Sequence, residues 1–301
     1  MDEPSFLLRA VTWHFGSGDA LFTACLLLLL AIGWQARGGC ASRVTALAFL
    51  SLVWMSLAAW PSFIFYWTLI LLTSGWLLAM HIRYLGPLKA WRNAVIFAVL
   101  LAAITEIPAD WPVVNLAPNA SSVAILGDSV TAGLNAGDHT WPRQLAEATG
   151  RTVYDASQQG ATVKSALMQL EKLDGRGEVL WIEIGGNDIL ESLSVGVYAE
   201  RLDELLHAAT KRYKTVVVME IPAPPGGGQY GYEQRRLAST YRIPLVPKRQ
   251  FVGVLTSRGG TQDGVHLANQ GHRRMADVVQ YALGWRRSGA GKDNGHYIRC
   301  E

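Results

Sequence analysis

Apolar positions are unevenly spread along this chain. Up to about residue 107 they form long runs, and after about residue 122 they come in short bursts separated by amphipathic stretches. Four runs, at 20–34, 44–60, 62–80 and 93–107, predict helices that are apolar on every side. Such helices belong in a bilayer or a deep core. The first and fourth runs are short for a span and need flanking residues to cross, and the fourth contains Glu106, read as a solvated helix end. From 123 onward, strand-like bursts alternate with helical periods. Strands are predicted at 123–126, 152–156, 179–184, 215–221 and 245–246, and helices at 142–149, 163–173, 198–213, 232–241 and 270–284. Alternation of this kind implies a parallel sheet with helices on both faces.

Domain boundaries follow from the pattern: an N-terminal segment 1–18, a four-helix transmembrane domain 19–108, a linker 109–122, an α/β domain 123–285 and a disordered tail 286–301. The linker, with Pro112 and Pro118, reaches at most about 45 Å when extended, which keeps the second domain near the membrane. Trp34, Trp54, Trp60, Trp91 and Trp111 lie at or near the proposed span ends, as an aromatic belt would. The first run starts too late, and without a basic segment directly before it, to be a cleaved signal.

Composition agrees with this division. Half of the 301 residues are hydrophobic and only 17% are charged. The net charge of +3, with no basic stripe, gives no reason to expect a nucleic-acid partner. Cys25, Cys40 and Cys300 form neither a disulfide framework nor a metal-ligand pattern. Arg37 and Arg43 follow the first run, and Arg83, Lys89 and Arg92 follow the third. The positive-inside rule makes both loops cytoplasmic, so the α/β domain faces outward, the periplasmic side of a bacterial inner membrane.

The candidate chemistry sits where predicted strands end. The first strand runs into Gly127-Asp128-Ser129, which places Ser129 on a strand-to-helix turn at the carboxyl end of the sheet, where α/β folds bind ligands. Taken alone, Ser129 could simply cap a helix. The second strand leads to Gly160, the third to Gly185-Gly186-Asn187-Asp188, and Asp263-Gly264-Val265-His266 precedes the last helix. Acyl transfer by serine needs a base, a group to orient that base, and donors for an oxyanion. Asp263 and His266 are three apart and fit the first two needs, and the Asn187 amide and the Gly160 N–H fit the third. His14, His81, His139, His207 and His296 read as structural, and His272 as a residue that shapes the site. Gly226-x-Gly228-x-x-Gly231 follows three prolines and lacks a partner acid, so it reads as a mobile loop or lid near the site rather than a dinucleotide fingerprint.

In these blocks the chain resembles the SGNH (GDSL) hydrolases over 123–285. Gly127-Asp128-Ser129-Val130, Gly160, Gly185-Gly186-Asn187-Asp188 and Asp263-Gly264-Val265-His266 stand in that family's order. Leu267 replaces a frequent proline, and the membrane segment is foreign to the small esterases of the family. The resemblance implies a flavodoxin-like parallel sheet, with Ser129 as nucleophile, His266 as base and Asp263 as its orienter. It also implies an oxyanion hole from Ser129, Gly160 and Asn187, shaped by Asp128, Gly186 and Asp188. It implies no metal or organic cofactor. The expected function is a membrane-anchored esterase acting on acyl or acetyl esters of envelope glycans or lipids. The bilayer, and other envelope membrane proteins, are the expected partners. Acyl transfer to a glycan hydroxyl, and a docking module for envelope assembly, are the alternatives.

Overall fold

The computed structural model describes residues 5–58, 63–82, 87–135, 137–287 and 295–300. The chain divides into two compact units. One takes in His14–Trp111 and Ala223–Tyr232, and the other takes in the residues up to Trp13, Pro112–Pro222 and Glu233 onward.

Helix α1 (Phe6–Gly16) occupies the segment for which the sequence suggested no element. The helical unit then carries α2 (Asp19–Ala36), α3 (Ala41–Leu57), α4 (Phe63–His81) and α5 (Leu88–Ala109). Its interior is built from small residues. Ala20, Ala24 and Ala31 of α2 and Ala48 of α3 are fully buried, which lets backbones approach closely. The Ser51 hydroxyl donates to the Ala24 carbonyl at 2.7 Å. Gly75 leaves room for the Trp91 ring, which a Cβ there would meet at 2.3 Å. The outward side is apolar as well: Leu26, Leu30, Phe49, Leu71, Phe97 and Ile104 are all exposed.

The four expected spans need correction. Among the described residues, two helices, Asp19–Ala36 and Leu88–Ile107, are long and apolar enough to cross a bilayer, and Ala41–Leu57 is shorter. The fourth run had looked the weakest because its apolar core is short. Its helix instead starts at Leu88, since Lys89, Trp91 and Arg92 continue it. The other end of this helix corrects Glu106. The helix continues to Ala109, so the carboxylate lies inside the last turn and is buried rather than solvated. Arg83, Trp60 and Pro61 lie outside the described residues. Ala223–Tyr232, the segment read as a mobile loop or lid, groups with the helical unit, where the Gly226 N–H donates to the Leu57 carbonyl at 3.2 Å.

In the α/β unit, β1 (Ser122–Gly127) is followed by the short α6 (Ser129–Ala132), α7 (Trp141–Thr149), β2 (Thr152–Asp155) and α8 (Val163–Leu173). Next come β3 (Val179–Glu183), α9 (Gly186–Leu190), α10 (Val195–Arg212) and β4 (Thr215–Met219). The unit closes with α11 (Gly228–Thr240), from Glu233 onward, β5 (Leu245–Val246), α12 (Lys248–Leu255), α13 (Asn269–Leu283) and β6 (Tyr297–Arg299). All strand pairs are parallel, in the order β5-β4-β3-β1-β2-β6. The connections reverse direction between β1 and β3, and at such a switch point a crevice opens at the carboxyl ends. Val123, Ala124, Ile125 and Leu126 of β1 are fully buried, as a central strand covered on both faces requires. Trp141 meets Trp181 edge-on at 6.5 Å beneath this region.

The tail departs from expectation. Residues 286–301 had suggested disorder, yet Tyr297–Arg299 adds an edge strand to β2, with Val153 opposite Tyr297 and Asp155 opposite Arg299.

Candidate active site

Gly127 ends β1, and a Cβ there would lie 2.6 Å from the Thr131 side chain. Glycine therefore allows the chain to fold straight into α6. Asp128 caps that helix, its carboxylate accepting the Val130 N–H at 2.9 Å. Ser129 is the first residue of α6 and sits at the switch point.

The loop before α13 comes back over Ser129. It is closed by a bridge between Thr261 and Leu267 and by the Gln262 N–H donating to the His266 carbonyl at 2.8 Å. His266 Nε2 lies 3.1 Å from Ser129 Oγ, and Nδ1 lies 2.7 Å from Asp263 Oδ2. The second oxygen of Asp263 accepts the N–H groups of Val265 and His266 at 3.0 and 2.8 Å. Burial works to raise this carboxyl, but the His266 ring and the two backbone donors outweigh it and bring it down to about 2. An ionised carboxylate thus holds one imidazole nitrogen while the other faces the serine hydroxyl, the arrangement an activated nucleophile requires.

The loops after β2 and β3 meet beside this serine. The Asn187 side-chain amide donates to the Ala161 carbonyl at 2.8 Å. Asp188 accepts the Val163 N–H at 2.8 Å. These bonds tie the segment carrying Asn187 to the one carrying Gly160. Gly160 has φ of +68°, and nothing lies within 4 Å of where a Cβ would be. Its backbone is open to approach from the crevice.

Residues 125–274 match the GDSL-like lipase/acylhydrolase family. This unit is a GDSL/SGNH hydrolase domain. The protein is an ester-hydrolysing serine hydrolase. Similar solved structures include esterase EstA from Pseudoalteromonas sp., at 21% identity over 54% of this chain and 96% of that one, TM-score 0.49. TesA is 26% identical over 54% and 97%, TM-score 0.47. Axe2, an acetylxylan esterase from Geobacillus stearothermophilus, is 19% identical over 58% and 100%, TM-score 0.47. No curated protein sequence matches the chain.

Beneath the nucleophile the hydrolase buries three carboxyl groups, Asp128, Glu183 and Asp188. Burial, chiefly, raises all three, Asp128 to about 6 and Glu183 well above the usual range with the Asp128 charge adding to it. Glu183 accepts the Thr131 hydroxyl at 2.7 Å, and the same hydroxyl accepts the Trp141 indole N–H at 3.1 Å. This chain of bonds fixes the turn of α6 from below. Glu183 and Thr131 were missed in the sequence, although a glutamate inside the apolar strand V-L-W-I-E was the available signal. Gly186 leaves space for Asp128, whose carboxylate would lie 3.2 Å from a Cβ there. His272 is structural: it is buried, its Nδ1 accepts the Trp141 N–H at 3.2 Å, and desolvation pushes it down to about 4. Among the described residues, no group of three or more His, Cys, Asp or Glu could hold a metal ion.

Proposed function

We propose that this hydrolase is membrane-anchored and cleaves acyl or acetyl esters on cell-envelope glycans or lipids through an acyl-enzyme on Ser129. The observation that carries the reading is the continuous Asp263–His266–Ser129 relay at 2.7 and 3.1 Å. In this mechanism His266 Nε2 takes the hydroxyl proton as Ser129 Oγ attacks the ester carbonyl. The developing oxyanion is received by the N–H groups of Ser129 and Gly160 and by the Asn187 amide. Collapse of the intermediate expels the alcohol, protonated by His266, and water then attacks the acyl-enzyme with His266 again acting as base. Asp263 keeps the imidazole in the tautomer that both steps need.

Anchoring is supported by the two span-length apolar helices and by the exposed apolar side chains of the helical unit. The basic residues Arg37, Arg43, Lys89 and Arg92 favour an outward-facing catalytic domain in a bacterial inner membrane. With p-nitrophenyl acetate, the purified full-length protein should release one equivalent of nitrophenol in a burst before steady turnover. Turnover without any detectable acyl-protein on rapid acid quench would contradict the covalent route. An alkaline phosphatase fusion after Trp285 should be active in a bacterial host, and a fusion active only with a cytoplasmic reporter would reverse the orientation.

A further inference from the structure

We infer that the C-terminal strand β6 completes a sugar-binding subsite for the alcohol half of the ester, an inference that rests on the esterase reading above. A cavity of about 650 Å³ lies against the loop after α6, the start of α7, the loop after β2 and β6. That volume falls within the roughly 300–1,000 Å³ usual for small-molecule sites. The cavity borders both segments that carry the reaction: Ala132 ends the helix that Ser129 begins, and Gln158 and Gln159 lead into Gly160. Tyr297 and Arg299 of β6 are two apart, so both side chains reach the same face of the strand and line the cavity. Both lie outside residues 125–274, so this wall is an addition of this chain to the matched family segment.

The wall is preorganised. Arg299 pairs with the buried Asp155 carboxylate at 2.7 Å and donates to the Ser157 hydroxyl at 3.1 Å. The Tyr297 hydroxyl donates to the same Asp155 oxygen at 2.8 Å. The Arg143 guanidinium stacks over the Tyr297 ring, 5.3 Å from its centroid. Asp138, which also lines the cavity, accepts the N–H groups of Leu134 and Asn135, each at 2.9 Å. The Gln159 amide nitrogen is spent on the carbonyls of Gly133 and Leu134 at 2.7 and 2.8 Å. Its oxygen is left to accept from a ligand.

Charge and polarity select the ligand class. Asp155 offsets Arg299, and the lining holds the Asp138 carboxylate as well as the Arg143 guanidinium, so an anionic headgroup gains little net attraction. Among the described lining residues Ala132 is the one aliphatic side chain, which disfavours an acyl chain. The lining combines the Arg143 guanidinium, the Asn135, Gln158 and Gln159 amides and the Asp138 carboxylate, and a polyhydroxylated ring can both donate to and accept from such groups. The acyl group would then lie toward Ser129 and the sugar toward β6.

Calorimetric titration of the full-length Ser129→Ala protein in detergent tests this without turnover. The probes are cellobiose, xylobiose and N,N′-diacetylchitobiose, with glycerol 1-phosphate and butyrate as the anionic and acyl alternatives. At least one disaccharide should bind, and Arg143→Ala should weaken it by about tenfold or more. Asn135→Ala gives a second variant should Arg143→Ala fail to fold. Three results would overturn the inference: no disaccharide binding at about 10 mM, binding undiminished in the variants, or preference for the phosphate or the fatty acid. Labelling of the wild type by a fluorophosphonate reports separately on the esterase reading. A labelled protein without sugar binding sinks the subsite alone, and an unlabelled one that binds sugar sinks the esterase reading alone.

Discussion

Replacing Asp263 by Asn changes one oxygen into an amide nitrogen, and the geometry dictates which one. Oδ1 accepts two backbone N–H groups, from Val265 and His266, at 3.0 and 2.8 Å. An amide nitrogen in that position would face two donors, so the remaining oxygen stays there and the nitrogen turns to His266 Nδ1. The imidazole must then accept at Nδ1 and carry its proton on Nε2, 3.1 Å from Ser129 Oγ. The ring becomes a donor toward the serine and can no longer take its proton. In the comparable exchange in a serine protease triad the wrong tautomer lowers kcat by about 10⁴, near 5.5 kcal/mol at about 1.36 kcal/mol per decade. We expect a loss of that order in kcat for p-nitrophenyl acetate with KM changed little, because the exchange leaves the crevice in place. Asp263 is partly exposed, so the thermal midpoint should barely move. A loss smaller than about tenfold would refute the assignment of Asp263 as the group that sets the tautomer.

Asn187→Ala should lower kcat by about 10²–10³ with the domain still folded, read by the same assay beside a thermal melt, and a change under about threefold would remove Asn187 from the oxyanion hole. Glu183→Gln keeps an oxygen for the Thr131 hydroxyl and removes a buried titrating group. Because the folded-state pKa of Glu183 is raised, its contribution to stability is present below its unfolded value near 4.5 and is lost as pH rises through the folded value. The variant should therefore gain in thermal midpoint over the wild type as pH rises from about 4 to about 8, and a constant difference across that range would argue against a protonated Glu183.

Much of the site was legible because its chemistry lies in short blocks at strand ends, where Gly127, Gly160 and Gly185 mark the turns. The buried strands were legible from apolar runs bounded by those turns, and α8 and α13 from their amphipathic period. The strand β6 was not. Its residues are polar or half-exposed and follow a glycine-rich stretch, and their order comes from pairing with β2, Arg299 and Tyr297 both holding Asp155. Helix α12 was hidden because Gly253 breaks the propensity of a short segment, while Phe251, Val252 and Val254 are buried by tertiary packing. The length of the fourth span was misjudged from its apolar run. Charged and aromatic residues at 89–92 read as a loop, yet they extend α5 by more than a turn. Glu183 escaped notice because a single carboxyl in an apolar strand has no spacing partner, and only the fold places it under Thr131.

The central claim is that Ser129 is an activated nucleophile. The most direct measurement is labelling of the purified full-length protein with a fluorophosphonate probe, beside Ser129→Ala. The account predicts one label per chain in the wild type and none in the variant. A folded wild type that takes no label, or a variant that labels equally, would contradict it.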